Sequence, residues 1–174
     1  MARDNSGKVV WIHAASLGEF EQGRPIIERI KRDMPDMRVV TTLFSPSGYE
    51  IRKNYPLADN IFYLPSDTPA NVRRFLDAVR PDVAIFIKYE FWLNYLGELH
   101  RRNVPTYLVS AIFRPSQVHF RPWGGLWRRA LECYNTIFVQ DEASRTLLEG
   151  IGYNRVVIAG DTRFDRVAEI ARNT

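Results

Sequence analysis

Glu19 is the residue of this chain best placed for acid–base chemistry. It closes the stretch His13-Ala-Ala-Ser-Leu-Gly-Glu19, which follows the apolar run Val9-Val-Trp-Ile12. That pattern reads as a strand opening through small residues into a helix. In open α/β sheets, ligands bind at the carboxyl ends of strands. Ser16 and Gly18 let a substrate come close to the backbone, and a carboxylate held there can take a proton from a reacting group. A plainer reading carries equal weight: Ser16 and Gly18 make a turn, and Glu19 favours the positive end of a helix dipole.

The elements that must position Glu19 recur along the whole chain. Short apolar runs fall at Val9–His13, Arg38–Phe44, Asn60–Leu64, Val83–Tyr89, Thr106–Ser110, Thr136–Val139 and Val156–Ala159. Most lack period-two alternation, as expected of parallel strands covered on both faces. Helical stretches lie between them, at Glu19–Asp33, Ser47–Asn54, Pro69–Val79, Phe91–Arg102, Leu126–Tyr134 and Glu142–Gly150, and a last one spans Phe164–Arg172. Ser45-Pro46, Thr68-Pro69 and Asp141 look like helix starts, and Arg80-Pro81 and Gly150/Gly152 look like helix ends. The alternation predicts a doubly wound, Rossmann-like α/β domain. Residues 9–160 are expected to form it, with a tail at 1–8.

Composition narrows the chemistry. The 174 residues are 45% hydrophobic and 25% charged, enough to bury a core in one domain. The sequence has no apolar run long enough to span a bilayer, and the start is unlike a signal peptide, so the chain is expected to be soluble. One cysteine, Cys133, and three scattered histidines suggest a reducing compartment and no metal cluster. The net charge of +4 favours anionic partners. Nucleic acid is not expected, because the basic residues are spread over many elements. There is no Gly-x-Gly-x-x-Gly, no Walker loop, no Asp-x-Asp and no Gly-x-Ser-x-Gly.

Residues 113–129 interrupt the rhythm with Phe113, Arg114, Phe120, Arg121, Trp123, Trp127 and a Gly-Gly pair. Long connections of this kind are often functional. Aromatics interleaved with arginines suit a phosphorylated, partly apolar ligand at an anionic membrane surface. Alternatively, the aromatics cover a core edge and the arginines are solvated.

Five stretches together resemble the N-terminal domain of the 3-deoxy-D-manno-octulosonic acid (Kdo) transferases. They are His13 to Glu19, Thr41-Thr-Leu-Phe-Ser-Pro-Ser-Gly48, Tyr63-Leu-Pro-Ser-Asp67, Glu90-Phe-Trp-Leu-Asn94 and Gly160-Asp-Thr-Arg-Phe-Asp165. The Lys88-Tyr-Glu-Phe-Trp run resembles the version found in Bacteroidetes-type members. The resemblance implies the N-terminal half of a GT-B glycosyltransferase, with residues 161–174 starting the interdomain connection. The family's hydrophobic anchor and its donor-binding domain would lie outside this chain. It implies transfer of Kdo from CMP-Kdo to the 6-hydroxyl of a lipid A precursor, with inversion and without metal or other cofactor. Localisation would be the cytoplasmic face of the inner membrane.

On that resemblance Glu19 is the general base, with its pKa expected to rise in a partly desolvated cleft. Ser16, Gly18, Ser45, Ser47 and Gly48 would bind acceptor hydroxyls or phosphates, although Ser45 and Ser47 could equally serve as helix caps. Arg114 and Arg121 would join them on the acceptor side. Two departures stand out. Many members carry an acid two positions ahead of the fourth strand's glutamate; here Lys88 precedes Glu90. Lys88 and Glu90 could pair, or Glu90 could take over the acid's role in supporting the transition state. Arg163 stands where a lysine is usual, keeping the charge with a different donor geometry. A different GT-B enzyme, such as a nucleotide-sugar epimerase, and a non-catalytic anionic-lipid-binding module remain as alternatives.

Overall fold

The seven apolar runs become strands β1 (Val9–Ala14), β2 (Arg38–Leu43), β3 (Asn60–Tyr63), β4 (Val83–Ile87), β5 (Thr106–Ala111), β6 (Thr136–Val139) and β7 (Val156–Ile158). In the computed structural model, which describes residues 7–159, they form one sheet in the order β3-β2-β1-β4-β5-β6-β7. Every neighbouring pair is parallel. All six residues of β1 and all five of β4 are buried, which explains their unbroken apolar character. The expected helix Phe164–Arg172, Arg163, the Gly160-to-Asp165 stretch and the first six residues lie outside the described residues.

Helices α1 (Leu17–Asp33) and α2 (Pro46–Arg52) cover one face. There Phe20, Ile26, Ile27 and Ile30 pack on Val10, Ile12, Ile85 and Ile87. Helices α3 (Pro69–Val79), α4 (Leu93–Arg101), α5 (Gly125–Glu132) and α6 (Glu142–Gly150) cover the other. There Val72, Leu76, Tyr95, Leu96, Leu131 and Leu148 pack with Trp11, Phe86, Leu108 and Ile137. The chain winds outward from β1 to β3, and α3 then carries it back to β4 beside β1. The strand order reverses between β1 and β4, and ligands of open α/β sheets bind at such switch points.

Local chemistry sets the helix ends. Thr68 accepts the Asn71 N–H ahead of first-turn Pro69, Asp141 accepts the Ser144 N–H, and Arg80 ends α3 in the left-handed region. Helices α2 and α5 start one residue earlier than expected, and two starts differ by two residues. Helix α1 begins at Leu17, because Ser16 is its cap and Glu19 lies inside its first turn. Helix α4 begins at Leu93 rather than Phe91; the strand breaks at Lys88, whose φ is 72°, and Phe91 packs against His119 before the helix starts.

Candidate active site

The loops after β1 and β4 meet at the switch point and bring Glu19, Lys88 and Glu90 together. Glu19 is held by a reciprocal cap. Ser16 Oγ accepts the Glu19 N–H at 3.3 Å, and Glu19 Oε2 accepts the Ser16 N–H at 3.1 Å. Burial raises the Glu19 pKa, and the neighbouring Glu90 charge raises it further. The N–H groups of Ser16 and Ala15 and the Lys88 ammonium pull in the opposite direction without reversing the shift. Glu19 is therefore partly buried, oriented, and a stronger base than an ordinary carboxylate.

Glu90 is only 8% exposed. Its Oε2 accepts the Trp92 indole N–H and lies 3.4 Å from His13 Nε2. Its backbone carbonyl accepts the Tyr134 hydroxyl at 2.5 Å. The Lys88–Glu90 ion pair considered from the sequence does not form among the described residues. The left-handed turn at Lys88 ends the strand ahead of Glu90, and the lysine's charge is felt at Glu19 instead.

His13, fully buried, was not singled out by sequence reasoning. Its Nδ1 lies 2.8 Å from Thr42 Oγ1, which also accepts the Trp11 indole N–H at 2.9 Å. The register pairs His13 with Thr42. Alternation along β1 puts Trp11 and His13 on one face, and that was the available signal.

Tyr63-to-Asp67 and Glu90-to-Asn94 are joined in space. The Asp67 carboxylate accepts the Asn94 and Tyr95 N–H groups at 3.2 and 3.1 Å, and its carbonyl accepts Asn94 Nδ2 at 2.7 Å. Asp67 thus caps α4 from a distant loop, where Trp92 supplies no side-chain cap. This anchors the segment that carries Glu90 and Trp92.

The remaining candidates line the same end of the sheet. Gly18 faces open space; a Cβ there would meet nothing within 4 Å among the described residues beyond its own helix and neighbours. Gly48 is enclosed instead, with a Cβ meeting Leu17 N at 3.0 Å and the Leu43 side chain at 3.1 Å. Ser45 is the α2 cap residue but makes no side-chain cap; its Oγ pairs with Ser47 Oγ at 2.9 Å, near the surface. Beside them Phe44 is 50% exposed and rests against Trp92, their ring centroids 5.0 Å apart.

The 113–129 segment folds as a short 3-10 turn (Val118–Phe120) followed by α5. Tyr89, which follows Lys88, ties it to the site through a 3.0 Å contact with His119 Nδ1. Burial, aided by Arg128, lowers the His119 pKa to about 4, and burial pushes Tyr89 up to about 12, so the contact is between neutral groups at pH 7. Phe91, Phe113, Phe120 and Trp127 surround the His119 ring. Arg128 is not merely solvated: it donates to the carbonyls of His119 and Arg121 at 3.0 and 2.9 Å. Arg114, Arg121, Trp123 and Leu126 are exposed. Neither the Arg114 nor the Arg121 guanidinium contacts Glu19, Glu90 or Ser45 among the described residues.

Comparison with known proteins identifies the family and the fold. The family model for 3-deoxy-D-manno-octulosonic-acid transferase (kdotransferase) matches residues 1–166. The 3-deoxy-D-manno-octulosonic acid transferase of Haemophilus influenzae is 29% identical over 163 residues, covering 90% of this chain and 38% of that protein. The Aquifex aeolicus enzyme of that name is 28% identical, over 92% of this chain and 42% of its own length. The chain thus spans about two fifths of the curated relatives it matches. Among solved structures, the UDP-N-acetylglucosamine 2-epimerase from Rickettsia bellii superposes with a TM-score of 0.65 at 15% identity, over 97% of this chain and 48% of its own. The Neisseria meningitidis UDP-GlcNAc 2-epimerase also gives 0.65 at 15%, over 95% and 49%. At that identity the likeness carries the fold alone: one Rossmann-like half of a two-domain GT-B architecture. With 166 of its residues matched, the chain belongs to the 3-deoxy-D-manno-octulosonic-acid (Kdo) transferase family, as an N-terminal domain.

Proposed function

We propose that this chain is the acceptor-binding, base-carrying half of a glycosyltransferase that moves Kdo from CMP-Kdo to the 6-hydroxyl of a lipid A precursor. The observation that carries the reading is Glu19, capped in place at the switch point with its pKa raised by burial and by Glu90. A base there takes the proton of the 6-hydroxyl as its oxygen attacks the anomeric carbon of Kdo. The carbon–oxygen bond to CMP breaks on the opposite face, giving inversion and releasing CMP. Base catalysis of this kind contributes about 10²–10⁴-fold. The reaction as proposed needs no metal. CMP-Kdo would be held mainly by the remainder of the longer protein, so the chain alone is expected to bind acceptor without turnover.

Lys88 stands beside Glu19 and supplies positive charge near the developing anion. Ser16, Gly18, Ser45 and Ser47 edge the space in front of Glu19 and suit the acceptor's hydroxyls and phosphates. Arg114, Arg121, Trp123 and Leu126 are all exposed in one segment, and such basic and apolar side chains suit the cytoplasmic face of an anionic inner membrane. Replacing Trp123 and Leu126 by serine should then weaken co-sedimentation with anionic vesicles; unchanged binding would remove the membrane from the proposal.

The decisive assay compares the complete enzyme containing this domain with its Glu19→Gln variant, using CMP-Kdo and a tetraacyl lipid A precursor. Transfer should fall by about two to four orders of magnitude with acceptor affinity kept. Turnover near that of the wild type would refute the base assignment.

A further inference from the structure

We infer that His13 is a positioning residue: a hydrogen-bond chain buried in the sheet, Trp11 to Thr42 to His13, aims the His13 Nε2–H at Glu90 and sets where that carboxylate lies beside Glu19. The inference rests on reading Glu19 as the base, and it assigns a role to three residues that do not reach the rim themselves.

Donor–acceptor chemistry fixes the first step of the chain. An indole N–H only donates, so Thr42 Oγ1 accepts from Trp11 Nε1 at 2.9 Å. The Thr42 hydroxyl has one proton, and the other partner of its oxygen is His13 Nδ1 at 2.8 Å. In the arrangement we infer, that proton goes to Nδ1, and the ring's own proton lies on Nε2. Nε2 is buried without a hydrogen bond, and Glu90 Oε2 lies 3.4 Å from it. Trp92 Nε1 donates to that same oxygen. Phe86 and Trp92 hold the imidazole edge-on, with centroids 5.7 and 5.6 Å from it.

The Trp92 N–H thus bonds one Glu90 oxygen, and the buried His13 Nε2, which makes no hydrogen bond of its own, lies 3.4 Å from that same oxygen. The groups facing Glu19 are Glu90 and Lys88 from the end of β4 and the N–H groups of Ala15 and Ser16. Of the two charges, Glu90 is the one whose position the chain controls. If Glu90 swings away from His13, Glu19 loses the neighbour that strengthens it as a base. A histidine that only filled the core would owe nothing to its tautomer, and its loss would show in stability rather than in the pH profile.

Two measurements test the inference. Long-range proton–nitrogen NMR of this chain labelled with ¹⁵N-histidine should show His13 protonated on Nε2 and bare on Nδ1; the opposite tautomer would overturn the proposal whether or not the protein transfers Kdo. In the complete enzyme, His13→Gln places an amide N–H near the Nε2 position, whereas His13→Asn mimics Nδ1. His13→Asn should lower kcat by up to about 100-fold, leave the acceptor KM within about twofold, and move the acid limb of the pH profile to lower pH. His13→Gln should restore most of the loss. Equal kinetics for both variants, or wild-type kcat in His13→Asn, would sink the positioning role. A wild-type enzyme that transfers no Kdo would instead refute the proposed function and leave the tautomer result standing.

Discussion

Glu19 and Ser16 cap each other: each side chain accepts the other's backbone N–H, at 3.1 and 3.3 Å. The arrangement joins the two readings that the sequence left side by side. Glu19 belongs to a helix start and also faces the switch point, and the cap orients it there. The structural role and the proposed chemical one can be separated by choice of substitution. Glutamine at the third helical position also completes a capping box, whereas alanine does not.

Glu19→Gln should therefore keep the helix start, and Glu19→Ala should weaken it by about 0.5–2 kcal/mol. A pH dependence follows as well. The Glu19 pKa is raised in the folded chain, chiefly by burial and then by Glu90. Folding thus favours the protonated acid, and that contribution is present below the ordinary carboxylate range and lost as pH rises through the raised value. Glutamine carries no such dependence. The melting temperature of Glu19→Gln minus that of the wild type should become more positive from acid toward neutral pH. A flat or falling difference would contradict the direction of the shift.

Asp67 offers a test of how the site is supported. Its carboxylate caps α4 through Asn94 and Tyr95, and this links the loop after β3 to the segment bearing Glu90 and Trp92. Asp67→Ala should cost about 1–2 kcal/mol in denaturant unfolding. It should also loosen Trp92, read as a change in indole fluorescence relative to the parent chain. A variant as stable as the parent would show that the cap contributes nothing.

The architecture was legible in sequence for a physical reason. Strands buried on both faces, such as Val83 to Ile87, advertise themselves as unbroken apolar runs, and Thr68 and Asp141 signal helix starts through their own chemistry. The rim of the site was legible only in part. Glu19, Lys88 and Glu90 could be placed near strand ends, but the partner of Glu90 could not. A pair with the lysine two positions away was one of two options, while the contacts made come from Trp92 and from His13, on another strand. His13 to Thr42 and Asp67 to Asn94 span 29 and 27 residues, so their meeting depends on register and topology, which local pattern does not encode. Ser45 shows the reverse failure: its residue type suggested a cap, yet its hydroxyl turns to Ser47.

The two glycines of the rim should behave in opposite ways. Gly48 packs against the start of α1, and an added methyl would press on the Leu17 backbone nitrogen at 3.0 Å, an atom fixed by the first turn of that helix. Gly48→Ala should accordingly destabilise the chain by about 1–3 kcal/mol. Gly18 lies in the first turn of α1 with nothing in front of it, so Gly18→Ala should leave stability equal or raise it by up to about 1 kcal/mol. Because that open space adjoins Glu19, the same methyl should intrude on a bound acceptor and raise its KM in the complete enzyme. If Gly18→Ala leaves the acceptor KM unchanged, the acceptor does not approach the backbone there, and Gly18 leaves the binding surface.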